Sequence, residues 1–157
     1  VSNIRNSPLV SFRPFVARDA LDLVIQHSQR IELGLDRSDM SIEEARGIEA
    51  CGNAWSAVAR DGRILGCAGF RETYPGVQAV AWAALAQDLG AAHLAITREA
   101  MRRVAAAPYR RIEMLVEKSR KPMLWALRLG FSLGHVLRNF GAASETVILF
   151  ERINDAG

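Results

Sequence analysis

Cysteine and histidine are scarce: two cysteines, Cys51 and Cys67, and three histidines in 157 residues. Neither type recurs at a ligand spacing, with no HxxxH and no paired Cys, so neither a metal centre nor a disulfide framework is expected. Both cysteines sit in apolar surroundings and read as buried thiols. Long apolar runs are missing as well. The longest, VAWAALA, is far short of the roughly 20 residues that cross a bilayer, so no membrane span is expected. The first residues, VSNIRNSPLV, lack the apolar core of a signal peptide, which points to the cytosol or a comparable reducing compartment. No nucleophile elbow is present, so a Ser-His-Asp hydrolase of that kind is excluded. Nothing is repeated or depleted enough to indicate a solenoid, collagen or disorder.

What is present suits one globular domain over 1–157, with 1–8 as a loose lead-in ending at Pro8. Half of the residues are hydrophobic, enough for a sizeable core. Twenty Lys and Arg against 17 Asp and Glu leave a net charge of +3. That balance fits an anionic ligand and falls short of a dedicated nucleic-acid binder. The basic residues Arg98, Arg102, Arg103, Arg110, Arg111, Lys118, Arg120 and Lys121 have no aromatics interleaved, so nucleic acid is not the expected partner.

Along the chain, LVSFRPF alternates as a first strand. Asp19 is placed to cap a helix with apolar positions Leu21, Val24, Ile25, Ser28 and Ile31, which Gly34 would end. Ser41 and Glu44 form a capping box for a second helix. AWSAVARDGRILGCAGF reads as a hairpin about Asp61-Gly62. Tyr74-Pro75-Gly76 is the next turn, and VQAVAWAALA a mostly buried strand. A helix follows over 92–106, with Leu94, Thr97, Met101 and Val104 inward, Arg98, Arg102 and Arg103 outward, and Pro108 as its stop. RRIEMLVEK is a strand with Ile112, Met114 and Val116 on one side. KPMLWALRLGF is a short helix with Pro122 in its first turn and Gly130 past its end. Strands at about 132–139 and 145–152 close the chain around FGAAS. The order β-α-α-β-β-β-α-β-α-β-β predicts a mixed α/β (α+β), mostly antiparallel sheet of six or seven strands and about four helices.

Between the fourth strand and the following helix lies AQDLGAAHLA. A helix start has unsatisfied N–H groups and the positive end of a dipole, so it suits a diphosphate. Gly90 permits positive φ and close backbone approach, and Ala92 keeps the wall low. Asp88 stands inside this cup, where a carboxylate repels phosphate unless it points to water. The same carboxylate is equally an ordinary favourable charge at a helix start.

Together these segments resemble the GNAT family of acyl-CoA N-acyltransferases over nearly the whole chain. FRPFVARDALDLV resembles its opening strand and helix, VARDGRILGCAGF its second and third strands, and WALRLGF the helix end before its sixth strand. Gln87-x-x-Gly90-x-Ala92 resembles its pyrophosphate loop. The resemblance implies acetyl-CoA or another acyl-CoA as co-substrate, no metal, and an amine as acceptor. Gln87, Asp88, Leu89, Gly90, Ala91 and Ala92 would form the cofactor loop, the last four donating backbone N–H groups, and Ser119 would be a further cofactor-binding residue. Counting back from Phe131, the family's Asn falls at Ser119, its Ala at Pro122, and its general-acid Tyr at Ala126, which has no hydroxyl. Trp125 beside it can pack and cannot protonate a thiolate. The candidate general bases are Glu72 and Glu117, near the ends of the third and fifth strands. His93 could touch a phosphate; His27 and His135 read as structural or surface groups. A second resemblance, faint and mainly over the C-terminal third, is to the degenerate GNAT-like proteins of short-tailed phages. It implies a non-catalytic assembly role, in a virion for example. Self-association as a homodimer is left open.

Overall fold

The computed structural model describes residues 9–21, 23 and 40–155. They form one seven-stranded sheet: β1 (Val10–Pro14), β2 (Ala54–Ala59), β3 (Ile64–Tyr74), β4 (Gln78–Leu85), β5 (Arg111–Glu117), β6 (Ser132–Phe140) and β7 (Glu145–Ile153). Its order is β1-β2-β3-β4-β5-β7-β6. Every neighbouring pair is antiparallel except β4 and β5. That parallel pair needs a crossover, supplied by α2 (Ala92–Ala106). The other described helices are α1 (Ile42–Cys51), α3 (Arg120–Arg128) and a 3-10 turn over Ala17–Ala20. The helix expected around 24–34, with His27 on it, and the lead-in over 1–8 lie outside the described residues.

Local signals set most of these boundaries. Ser41 accepts from Glu44 N–H at 3.2 Å while Glu44 Oε2 accepts from Ser41 N–H at 2.6 Å, the reciprocal box that starts α1. Asp61-Gly62 turns β2 into β3, and Pro75-Gly76 turns β3 into β4. Ile112, Met114 and Val116 alternate inward along β5, at 0, 4 and 0% exposure.

Each sheet face carries its own apolar cluster. One, under α2 and α3, includes Trp55, Ala83, Leu85, Ile96, Val104, Ile112 and Phe150. The other, under α1 and the 3-10 turn, includes Phe15, Ala20, Met40, Ala45, Cys67 and Ala84.

Four expectations need correction. Asp19 does not cap a helix at Leu21. It lies in the 3-10 turn at 5% exposure, where Arg13 donates to both its oxygens at 2.7 Å. The Ser56 hydroxyl donates to it at 2.6 Å and Val16 N–H at 3.1 Å. The inward face of α2 is Ala92, Ile96, Thr97, Ala100 and Val104, whereas Leu94 and Met101 face out. The inward set mixes two alanines with Ile96, Thr97 and Val104, so direction on the helix rather than side-chain size decides what fills the contact. Arg103 is half-buried, its guanidinium 5.0 Å above the Trp55 ring and bonded to Glu99 at 2.7 Å. Cys67 is buried, as expected, but Cys51, the last residue of α1, is exposed. Burial pushes the Cys67 thiol up to about 12, leaving it inert.

Candidate functional site

The parallel ladder between β4 and β5 runs from Gln78↔Arg111 to Ala81↔Met114 and stops there. Both strands continue, β4 to Leu85 along β3 and β5 to Glu117 along β7, so they splay apart. Ala86 N–H bonds the Leu65 carbonyl across β3 at 3.0 Å. By the alternation of an antiparallel ladder, the odd-numbered residues of β4 then turn their N–H groups toward β5. Past Ala81 the next such donor is Ala83, whose N–H has no ladder partner on β5.

Beside Ala83, on the α2 and α3 face, lies an apolar cavity of about 30 Å³. Ala81, Ala83, Met114, Phe131, Trp125 and Arg103 are among its lining residues. Trp125 covers it from α3, with its indole N–H donating to Thr97 Oγ1 on α2 at 3.0 Å. Thr97, 1% exposed, passes its own hydroxyl proton to the His93 carbonyl at 2.8 Å. The His93 ring stands 6.3 Å from that of Trp125.

At the open end of β4 the chain turns into α2. Gly90 has φ +50, a left-handed value that favours glycine, and a Cβ there would meet nothing within 4 Å. Ala92 N–H bonds the Leu89 carbonyl at 3.0 Å and His93 N–H that of Gly90 at 3.3 Å. Leu89, Gly90 and Ala91 N–H groups have no backbone partner among the described residues. Gln87 and Asp88 are exposed, and Leu89 packs against the core. Continuing the β3–β4 register past Leu65 and Ala86 brings Arg63 opposite Asp88. Arg63 is raised mainly by its bond to Asp61, and the charge of Asp88 adds to that.

The two candidate bases stand at opposite ends. Glu72 pairs with Ala79, on the closed side of the ladder, about 13 Å along β4 from Ala83. It is exposed and accepts the hydroxyl of buried Tyr109 at 2.9 Å. Burial, with Glu72 adding, pushes the Tyr109 phenol up to about 12. Glu117 is half-buried at the open end, about 10 Å along β5 from Met114. Ser119, at the start of α3, donates to Glu117 Oε2 at 3.5 Å. Ala126 is fully buried against the core, and its carbonyl accepts from Phe131 N–H at 3.2 Å. His135 lies exposed on β6.

Solved structures of the same architecture decide the fold. Ard1 from Thermoplasma volcanium superposes with a TM-score of 0.72 at 12% identity, over 93% of this chain and 98% of that one. The fold is that of the GNAT acetyltransferases. A spermidine N-acetyltransferase from Vibrio cholerae, in complex with CoA and spermine, matches with a TM-score of 0.67 at 14% identity, over 92% of this chain and 95% of that one. The ribosomal-protein-S5-alanine acetyltransferase from Vibrio fischeri matches with a TM-score of 0.63 at 16% identity, over 96% of both chains. No protein-family model and no curated protein matches the sequence.

Within this GNAT fold the splay, the Gly90 turn, Glu117 and Ser119 share the open end of β4 and β5, while Glu72 stands apart from them. Sequence reasoning missed the Ala83 donor, the cavity and the Trp125–Thr97 bond. Each depends on strand register or on residues 28 positions apart, which no local pattern signals. No cluster of three or more metal-ligating side chains occurs among the described residues. None of the described helices is long and apolar enough to cross a membrane.

Proposed function

We propose that the protein is an acyl-CoA-dependent N-acyltransferase of the cytosol. It would carry an acetyl group from acetyl-CoA to a primary amine of a small molecule or a protein. The carrying observation is the juxtaposition of the splayed β4–β5 edge with the Gly90 turn in a GNAT fold. The open N–H groups of Leu89, Gly90 and Ala91, at the positive end of α2, suit a diphosphate. Ala83 N–H suits the thioester carbonyl, whose oxygen gains charge as the amine attacks.

In that reaction the amine nitrogen forms an amide to the acyl carbon, the C–S bond breaks, and CoA departs as thiolate. The incoming ammonium must first lose a proton, and Glu117 at the open end is the better-placed acceptor, through water. Ala126 supplies no proton to the thiolate, so the rate would rest on orientation, which contributes about 7–11 kcal/mol in well-aligned cases. The absent acid favours a second reading, a GNAT-fold protein that assembles without catalysing, in a virion for example.

Thermal unfolding in the presence of CoA tests the proposal. Free ligand at 100 times its dissociation constant adds about 2.7 kcal/mol, a readily measured rise in melting temperature. Gly90→Asp should remove that rise, since Asp tolerates left-handed backbone better than most residues and sets a carboxylate in the cup. A melting temperature indifferent to millimolar CoA would abandon the acyl-CoA reading. Binding without turnover of any amine would favour the assembly reading.

A further inference from the structure

We propose that the outward side of α3 and the adjoining edge strand β6 form a peripheral docking surface for an anionic lipid membrane. This docking is independent of the acyl-CoA reading.

Helical spacing puts Arg120, Leu124, Leu127 and Arg128, with Lys121, on one side of α3, and all five are exposed. Buried Ala126 marks the opposite side. The arc turned to solvent is therefore two leucines and three cations. Arg120 and Lys121 sit in the first turn, where the helix dipole disfavours cations, so helix stability does not account for them. The helix packs on β5 and β6. On β6, at the edge of the sheet, Leu133 pairs with Phe150 and Val136 with Ile148, both core residues under α2 and α3. Cross-strand partners share a face, so Leu133 and Val136 point to the α3 side. Leu124, Leu127, Leu133 and Val136 are 53, 51, 55 and 48% exposed, an apolar corner of the kind that marks an interaction site.

Charge selects the occupant. No Asp or Glu occurs between Glu117 and Glu145, whereas Lys118, Arg120, Lys121, Arg128 and Arg138 do. On α2, Arg102 and Arg103 are held by Glu99; the cations of α3 form no ion pair among the described residues. A second copy seated on the same face would set cation against cation. An added strand would meet a ladder interrupted by register shifts at Leu133/His135 and Leu137/Phe140. A bilayer needs neither a groove nor a register. Its acyl boundary takes the leucines, while the long stems of Arg and Lys carry their charges to lipid phosphates and carboxylates. None of the described helices can cross a bilayer, so the contact is at its surface.

Co-sedimentation of the full chain with vesicles tests this. Vesicles of equal parts phosphatidylserine and phosphatidylcholine should pellet it at low salt, and phosphatidylcholine alone should not. Binding should weaken as salt rises. Each cation near the surface is worth about 5-fold in affinity, so Arg120→Gln, Lys121→Gln and Arg128→Gln together should lower it about 100-fold. Leu124→Ser with Leu127→Ser, both at exposed positions, should lower it about 10-fold or more at constant charge. Circular dichroism and the melting temperature would show that both variants keep the fold. Undiminished binding by the folded leucine variant, or equal binding to neutral vesicles, overturns the docking. Failure of the unaltered chain to pellet with the anionic vesicles overturns it as well, and capture of a glutamate-rich peptide in that case would assign the face to an acidic protein.

Discussion

The region around the 3-10 turn and the open end of β4 and β5 treat polar groups in opposite ways. Under the 3-10 turn, the buried Asp19 carboxylate is saturated, taking two bonds from Arg13, one from Ser56 and one from Val16 N–H. At the splay, Ala83 N–H lacks a ladder partner and three more N–H groups stand open at the Gly90 turn. An unmade hydrogen bond in a sheltered place costs stability unless water or a ligand completes it, and the N–H groups of exposed Gly90 and Ala91 are open to either. The first region therefore reads as a clasp and the second as a receptor, and mutations should separate them.

The largest effect is expected at the clasp. Asp19→Ala leaves the buried Ser56 hydroxyl only its weak contact with Cys67 Sγ at 3.6 Å, and leaves Arg13 only the Pro14 carbonyl at 3.1 Å. Removing one partner of a fully buried pair costs about 3–5 kcal/mol, and the partial exposure of Arg13 brings the expectation to about 2–3 kcal/mol. Urea unfolding would measure it, with CoA affinity of the folded fraction unchanged. The clasp also has a pH signature. Burial alone would raise the Asp19 carboxyl, but the bonds from Arg13, Ser56 and Val16 outweigh it and hold it below the usual range. A depressed folded value means that the stabilisation is complete above the unfolded carboxylate value, about pH 4. It is lost as pH falls through the lower folded value. Asp19→Asn should flatten that acid limb; an unchanged limb would assign it to other carboxylates.

Trp125→Phe addresses the seam between the two helices over the splay. It keeps the ring and deletes the one bond to Thr97 Oγ1, which still donates to the His93 carbonyl. A single neutral hydrogen bond is worth about 0.5–1.5 kcal/mol net, so the loss of stability should be about 1 kcal/mol. Urea unfolding would measure it, and a several-fold larger loss would mean that Trp125 holds the seam by its packing more than by this bond.

What could be read in the sequence divides along the same line. The elements were legible because their signals are local: the Ser41–Glu44 box, Asp61-Gly62, Pro75-Gly76, the alternation of Ile112, Met114 and Val116. The left-handed backbone at Gly90 was legible too, since a glycine where a strand turns into a helix readily supplies positive φ. Asp19 was misread because its partners, Arg13 and Ser56, are recruited from two strands. The splay cavity was invisible because it exists only where a parallel ladder stops. Leu94 and Met101 misled because size stood in for direction on a helix whose buried stripe is Ala92, Ile96, Thr97, Ala100 and Val104.

The smallest effect, and the sharpest for the receptor, is expected at Asp88. It is exposed at the mouth of the Gly90 turn, with the Arg63 guanidinium close enough to feel its charge. A unit charge about 8 Å from one phosphate charge, at an effective dielectric near 20, gives on the order of 2 kcal/mol of repulsion before screening. Arg63 and exposure to solvent reduce that, so Asp88→Asn should tighten CoA binding by a few-fold at low ionic strength. The gain should fade as salt shortens the Debye length to about 10 Å at 0.1 M. Asp88 precedes α2 by a full turn, and the first turn of that helix carries no acidic residue, so stability should change little. Tighter binding that fades with salt, at nearly constant stability, is what a carboxylate beside a working anion cup produces. CoA affinity unmoved at every salt would mean that the phosphates pass clear of Asp88.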